Sequence, residues 1–468
     1  MSIKVLLLNP IKPGQDFNVN VDPVIIRHTG AQTKAGIFSP LGLMYIASIL
    51  RNNKIEVKII DPVPEGRSFE SVLDIGKEFD IIIVPLATSN ISGTIKLFDN
   101  LKGKIRVLIG TYATVISDQL LRENKCDIVV NGEAEMTLLE LCKAEGSPKD
   151  IIGLSYIKDY KVIKNSDRPL IEDLDSLPFP ARDLIDNNLY SDIFFGKPTA
   201  LVLTSRGCPY ECSFCSVKFV YGRRLRVRSV KNIIEELEEI VFKYCIKNIF
   251  FIDDIFPVNE DRVIQICDAI IKHNLKISWV CNCHINLITK RMLEHMEKAG
   301  CKEIRYGIES ASADILKGMK KNITPQQAIK VIRMTKEVGI IPSGFFMIGF
   351  PGETVEMIRD TVNFAKMLNP LYAVFTITIP APGSELYYSL PFSKRTELVD
   401  KFDTVNSDTT NICGIEPYIL TRELKRAYIS FYLSWRFFCN FMSQAIQRPS
   451  AAVSVLRMLL QGGIKIFN

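Results

Sequence analysis

Short, uninterrupted apolar runs alternate with helical stretches through most of the chain. In residues 1–145 the runs are Val5 to Leu8, Val57 to Ile60, Ile81 to Val84, Val107 to Ile109 and Ile128 to Val130. Runs this short, with no polar alternation, predict strands buried on both faces. Helical patterns between them, such as Leu43 to Leu50, predict a parallel sheet covered on both sides. Ligands of such sheets lie beyond the carboxyl ends of the strands. Small and polar residues occupy that edge: Asn9, Pro85, Gly110, Thr111, Gly132 and Glu133, while Pro40-Leu41-Gly42 opens the helix Leu43 to Leu50. From 146 to 199 the pattern breaks. Pro148, Pro169, Pro178, Pro180 and Pro198 predict turns and extended chain, so this stretch reads as a linker.

The alternation resumes over residues 200–384. Strands are predicted at Ala200 to Leu203, Ile249 to Ile252, Ile277 to Val280, Glu303 to Tyr306, Phe345 to Ile348 and Val374 to Ile379. Apolar residues at 230, 233, 234, 237, 240, 241 and 244 form a helical stripe, with Ser229 placed to cap it. Six such units are too few for a closed eight-stranded barrel, but chemistry is still expected at the strands' carboxyl ends. Residues 385–468 read as a helical region rich in aromatics, among them Tyr428, Phe431, Tyr432, Trp435, Phe437, Phe438 and Phe441. Arg422, Lys425, Arg426, Arg436 and Arg448 intersperse them. A helical cap on the barrel is the plainer expectation; an interfacial helix touching lipid or a hydrophobic substrate is the alternative.

The chemistry concentrates after the strand Ala200 to Leu203. Cys208, Cys212 and Cys215 stand at i, i+4 and i+7 on one loop. A closed zinc site takes four protein ligands, and no His or fourth Cys lies close by in sequence. Three thiolates would leave one iron of a four-iron cluster open to a small-molecule ligand. Buried or zinc-binding cysteines remain the competing reading. The other strand ends carry Asp253-Asp254, Gly307-Ile308-Glu309 and Gly349 within Ile348-Gly349-Phe350-Pro351-Gly352. Adjacent carboxylates after an apolar strand are costly unless a cation or donors meet them; the rival role for Asp253, Asp254 and Glu309 is helix capping.

Cys-x3-Cys-x2-Cys, with Phe214 before the last Cys, resembles the radical S-adenosylmethionine (SAM) superfamily. The resemblance implies that Cys208, Cys212 and Cys215 hold a 4Fe–4S cluster and that SAM binds its open iron. Reductive cleavage of SAM then gives a 5'-deoxyadenosyl radical, with the cofactors carrying the chemistry. It also implies an open six-stranded partial barrel, with Asp253, Asp254, Glu309, Phe214 and Gly349 around SAM. An Arg-x-Asp is common in the family where this chain has His284 and Asn286. Cys281, Cys283 and His284 are expected to be structural or to touch substrate rather than bind metal. Asn9-Pro10, Pro40-Leu41-Gly42-Leu43, Asp61-Pro62, Gly110-Thr111-Tyr112-Ala113 and Gly132-Glu133-Ala134-Glu135 together resemble the Rossmann-like cobalamin-binding domain found ahead of many radical SAM domains. Asn9, Pro40, Leu41, Gly42, Gly110, Thr111, Gly132 and Glu133 would then line the cobalamin. The Asp-x-His-x-x-Gly loop that places a histidine under cobalt is absent, and His28 does not fit that role.

Composition adds context. The 468-residue chain has ordinary hydrophobic and charged content, and its net charge of +6 does not argue for nucleic acid. Twelve scattered cysteines and no secretory pattern predict a reducing, cytoplasmic setting. The resemblance implies an external electron donor such as a flavodoxin or ferredoxin and a small-molecule or lipid-like substrate. The expected reaction is methylation of an unactivated carbon or phosphorus. A ring-forming cyclase with no methylated product, and a non-catalytic iron–sulfur or cobalamin-binding regulator, are the alternatives.

Overall fold

The computed structural model describes residues 3–10, 37–86, 91–256, 259–401 and 411–447. The strands of the first sheet are β1 (Lys4–Leu8), β2 (Glu56–Ile60), β3 (Ile81–Pro85), β4 (Ile105–Ile109), β5 (Ile128–Val130), β6 (Leu154–Lys158) and β7 (Lys161–Lys164). Their order is β2-β1-β3-β4-β5-β6-β7. β1 to β5 are parallel. The unbroken apolar runs have a simple cause. Val5, Leu7, Ile81 and Ile83 pack into the helix layer on one face, while Leu6, Leu8, Ile82 and Val84 pack into the layer on the other. Each such side chain, fully removed from water, contributes about 1.5–3 kcal/mol.

The stretch expected to be linker does more than connect. β6 and β7 add to the sheet antiparallel. Their hairpin turns at Asp159 and Tyr160, both at positive φ (48° and 61°). Such a turn usually announces itself with Asn-Gly or Asp-Gly, and this one has neither.

The second sheet contains β8 (Thr199–Val202), β11 (Asn248–Phe251), β12 (Ser278–Cys283), β13 (Cys301–Glu309), β14 (Ile341–Ile348) and β15 (Ala373–Ile377), all parallel. A two-stranded ribbon of β9 (Ser205–Arg206) and β10 (Arg226–Val227) comes after β8. The order β15-β14-β13-β12-β11-β8 makes an open six-stranded partial barrel. Ser229 caps the helix Val230–Glu238 by accepting from the Asn232 amide, as expected. Within the second sheet's core, fully buried Arg305 is ion-paired to Asp192 and Glu303 and lies 4.6 Å from the Phe250 ring.

The helix Pro417–Tyr432 closes one edge. β15 is the outer strand, so its backbone would otherwise be unpaired on one side. The Tyr428 hydroxyl donates to the Phe375 carbonyl (2.9 Å) and accepts from its amide (3.2 Å). Tyr432 does the same at Ala373 (3.0 and 3.3 Å). Part of the aromatic C-terminal region is therefore the expected cap.

Candidate active site at the facing strand ends

The cysteine loop leaves the carboxyl end of β8 and is anchored by Asp253, two residues beyond the end of β11. Asp253 is completely buried. Its carboxylate accepts from the amides of Thr204 (2.7 Å) and Ser205 (2.5 Å) and from their hydroxyls (2.9 and 3.1 Å). Burial pushes its pKa up to about 7 against the pull of those donors. This corrects the expectation that both aspartates face a ligand: Asp253 is consumed in anchoring the loop. Asp254 is exposed and lies within electrostatic reach of Cys208. Neither aspartate caps the next helix. Asn259 does so, accepting from the Arg262 amide.

Cys208, Cys212 and Cys215 are partly exposed; Cys212 and Cys215 both raise the thiol pKa of Cys208, and Cys215 raises that of Cys212. Burial pushes Cys208 up to about 11 and also raises Cys212. Among the described residues no three side chains close around a single ion. A four-iron cluster asks for something different, one thiolate on each of three irons, and a compact loop with half-exposed, mutually near thiols fits that donor set. Tyr210, inside the loop, stacks on His284 with ring centroids 4.0 Å apart. Phe214 packs beside Ile315, Met319, Met347, Phe350 and Leu386.

Glu309 ends β13 where the pairing register with β14 shifts, and holds φ of +66°. A non-glycine residue in that region is strained and is held by its surroundings. Its carboxylate pairs with Lys321 at 2.8 Å, and both side chains are nearly buried. Ser312, not Glu309, caps the following helix. Lys321 is the residue that sequence reasoning missed. It lies within electrostatic reach of Cys212 and Cys215 and 5.9 Å from the Phe214 ring. A side chain on Gly307 would place its Cβ 2.5 Å from Glu309 Oε1 and 2.7 Å from Lys321 Nζ, so the ends of both side chains would have to shift.

His284 is buried and held neutral, its pKa pushed down to about 3 by burial and by the Lys321 charge. One ring nitrogen meets the Lys321 carbonyl and the other the Asn286 amide. The Cys281 and Cys283 sulfurs lie 3.6 Å apart in the apolar core with Trp279. These three residues thus form no metal site among the described residues.

Gly349 has φ of +78°, and a Cβ there would meet the Leu420 methyl carbons at 3.0 and 3.1 Å, so the C-terminal helix packs closely against it. Its amide donates to Glu353.

The carboxyl edge of the first sheet faces these elements. A cavity of about 290 Å³ is lined by Asn9, Pro40, Leu41, Gly42, Pro85 and Ile109 from the first sheet's side. Leu201 and Ile252 line it from the second sheet's side. Asn9 donates to Asp61 (3.0 Å), which also accepts from the buried Tyr190 hydroxyl. Gly110 (φ +99°), Thr111 and Gly132 (φ +76°) form the turns after β4 and β5 and are not among its lining residues. Asn131 Oδ1 beside them is buried with no hydrogen-bond partner among the described residues, an unmet acceptor that suits a polar ligand. The mostly apolar lining of the cavity suits a ligand with apolar surface. His28 lies outside the described residues.

Glu133 is the second correction. Its carboxylate takes Arg206 (2.9 Å), Arg226 (2.9 Å) and the Ile171 amide (2.7 Å). Arg206 also pairs with Glu135 and lies between the rings of Tyr45 and Tyr221. Glu133 therefore fastens the two sheets together and has no capacity left for a ligand.

Comparison with known proteins agrees with this layout. Residues 202–365 match the radical SAM superfamily model and residues 28–142 match the B12 binding domain model. The chain is 37% identical over 405 residues to the uncharacterized methyltransferase PH0819 of Pyrococcus horikoshii, covering 84% of this chain and 88% of the relative. It is 27% identical over 460 residues to the anaerobic magnesium-protoporphyrin IX monomethyl ester cyclase of Rubrivivax gelatinosus, covering 94% and 80%. The radical SAM methyltransferase TsrM from Kitasatospora setae, solved with cobalamin and a 4Fe–4S cluster, shares the fold. Its TM-score is 0.68 at 18% identity, covering 82% of this chain and 77% of that one. The chain is therefore a radical SAM enzyme, a member of the branch of that superfamily that carries a B12-binding domain ahead of the radical SAM domain.

Proposed function

We infer that the enzyme transfers a methyl group to an unactivated carbon or phosphorus centre of a small molecule. The observation that carries this reading is the shared cavity. Asn9 and Pro40 to Leu43 come from the first sheet's edge, and Leu201 and Ile252 from the second, so a ligand on one sheet faces the mouth of the other. The relative from Pyrococcus horikoshii, named a methyltransferase, supports it.

In this reading Cys208, Cys212 and Cys215 hold the cluster. Asp254 and the Glu309–Lys321 pair meet the charged groups of SAM, and Phe214 walls the site. Asn9, Pro40, Leu41, Gly42, Gly110, Thr111 and Gly132 border the cobalamin. When bound, the cluster and SAM supply a carbon-centred radical, and cobalamin supplies a methyl carrier. The protein's own work is to hold the cysteine loop through Asp253, to keep His284 neutral against Tyr210, and to exclude water with the apolar cavity wall. Domain limits of 1–145, 146–199, 200–384 and 385–468 follow the same reading. The reaction needs a reductant, here taken to be a flavodoxin- or ferredoxin-like protein. In the same reading the substrate is a small molecule or a lipid-like one, the setting is cytoplasmic, and the C-terminal helices touch membrane peripherally.

The test is anaerobic turnover of the reconstituted enzyme with methyl-labelled SAM and candidate extracts. Labelled product together with 5'-deoxyadenosine and S-adenosylhomocysteine is expected. Absence of cobalt from protein made with ample cobalamin sinks the proposal. The Rubrivivax similarity favours a second reading, ring formation. In that case product mass falls by hydrogen instead of rising by a CH2 unit.

A further inference from the structure

We propose that the outer face of the two C-terminal helices is a docking surface for an anionic lipid bilayer, which gives the peripheral membrane contact inferred above its residues and its lipid chemistry. On the helix Trp435–Gln447, Trp435, Phe438, Met442 and Ile446 recur at helical spacing and are 75, 50, 43 and 80% exposed. Ile429 and Leu433 extend the exposed apolar face onto the preceding helix, with Lys425 and Arg422 one and two turns before Ile429 on the same side.

The opposite face is committed. Phe437 packs on Phe431 and Tyr432, and Asn440 donates to the Asn369 and Pro370 carbonyls. The helix is thus held to the barrel with its large apolar side chains turned outward. Contiguous exposed apolar side chains on this scale mark an interaction surface.

Charge selects the partner. After Glu423 no acidic residue occurs through Asn468, while Lys425, Arg426, Arg436, Arg448, Arg457 and Lys465 do. The chain's whole net charge is +6, so these six cations account for all of it and the remainder is balanced. The 21 residues after the described helix, 448–468, are themselves mostly apolar with three of those cations. An apolar stripe with an exposed Trp, flanked by Lys425, Arg426 and Arg436, with the one nearby acid Glu423 buried and paired to Arg359 and Arg422, has the chemistry of a helix lying at the lipid–water interface. Among the described residues no helix is long and apolar enough to cross a membrane, so the contact is peripheral.

The protein carries its own reporter. Of its two tryptophans, Trp279 is wholly buried and Trp435 is exposed. Full-length protein titrated with vesicles of mixed phosphatidylglycerol and phosphatidylcholine should show a blue shift of Trp435 emission, quenching by brominated acyl chains, and co-sedimentation. Trp435→Phe should abolish the optical signal. Phe438→Ser with Ile446→Ser, both at exposed positions, should abolish sedimentation. Arg422→Gln with Lys425→Gln should lower the partition coefficient about 30-fold, roughly five-fold per charge. Equal binding to pure phosphatidylcholine vesicles overturns the anionic preference. Emission already blue and protected from iodide without vesicles means that residues 448–468 or a second copy cover the stripe, and overturns the proposal. So does co-sedimentation with no change at Trp435. None of these readouts depends on the reaction the enzyme performs.

Discussion

Replacing Asp253 separates anchoring from ligand binding. In Asp253→Ala the amides of Thr204 and Ser205 lose the acceptor they share, with no other among the described residues, inside a fully buried pocket. Each orphaned donor costs about 1–3 kcal/mol, so the variant should lose about 2–6 kcal/mol. Against a total stability of about 5–15 kcal/mol this is severe. In Asp253→Asn the amide oxygen still accepts from both backbone amides, and the new NH2 donates to the Thr204 hydroxyl once that group rotates. The loss should be only about 1 kcal/mol, from weaker uncharged hydrogen bonds. The assay is urea unfolding of the cluster-free protein, followed by circular dichroism, with SAM binding measured on reconstituted protein. Asparagine should retain both stability and SAM affinity. If it is as damaging as alanine, or stable but unable to bind SAM, the anchoring argument fails. The pH dependence gives a second check. Burial raises the folded pKa from 3.8 to about 7. The stability this group contributes is therefore fully present below 3.8 and lost as pH rises through 7. The wild-type stability minus that of Asp253→Asn should fall across this window.

Arg206→Ala should destabilise by about 3–5 kcal/mol, because Glu135 stays buried without its cation while Glu133 keeps Arg226; denaturant midpoints measure it, and Arg206→Lys should recover part. Gly307→Ala should push Glu309 and Lys321 apart and weaken SAM binding while iron content stays at wild-type level; unchanged SAM affinity by calorimetry would count against the pair. Tyr428→Phe and Tyr432→Phe should each cost about 0.5–1.5 kcal/mol and speed proteolysis near β15, since each removes a donor and acceptor from the edge strand.

The strands were legible because both faces of each parallel strand meet helices, so the apolar run itself carries the message. The cysteine loop was legible because its three cysteines are local in sequence. What escaped depends on long-range pairing or on which way a side chain turns. Asp253 and Asp254 lie in the irregular turn beyond the strand, where one is buried and the other exposed, and nothing in the sequence said which one turned inward. Lys321 reaches Glu309 across an intervening helix, and Arg206 reaches Glu133 across 73 positions; neither pairing leaves a local pattern. Leu420 over Gly349 is of the same kind. The β6–β7 hairpin was hidden by a turn built without glycine.

The Arg206 clasp has a consequence for domain swapping between relatives. Arg206 stands two residues before Cys208 and is gripped by carboxylates from the B12-binding side. A chimera joined anywhere between 146 and 199 would keep the cysteines yet sever this clasp, unless Glu133 and Glu135 on one parent match Arg206, Tyr221 and Arg226 on the other. Graft compatibility should therefore follow those five positions better than overall identity.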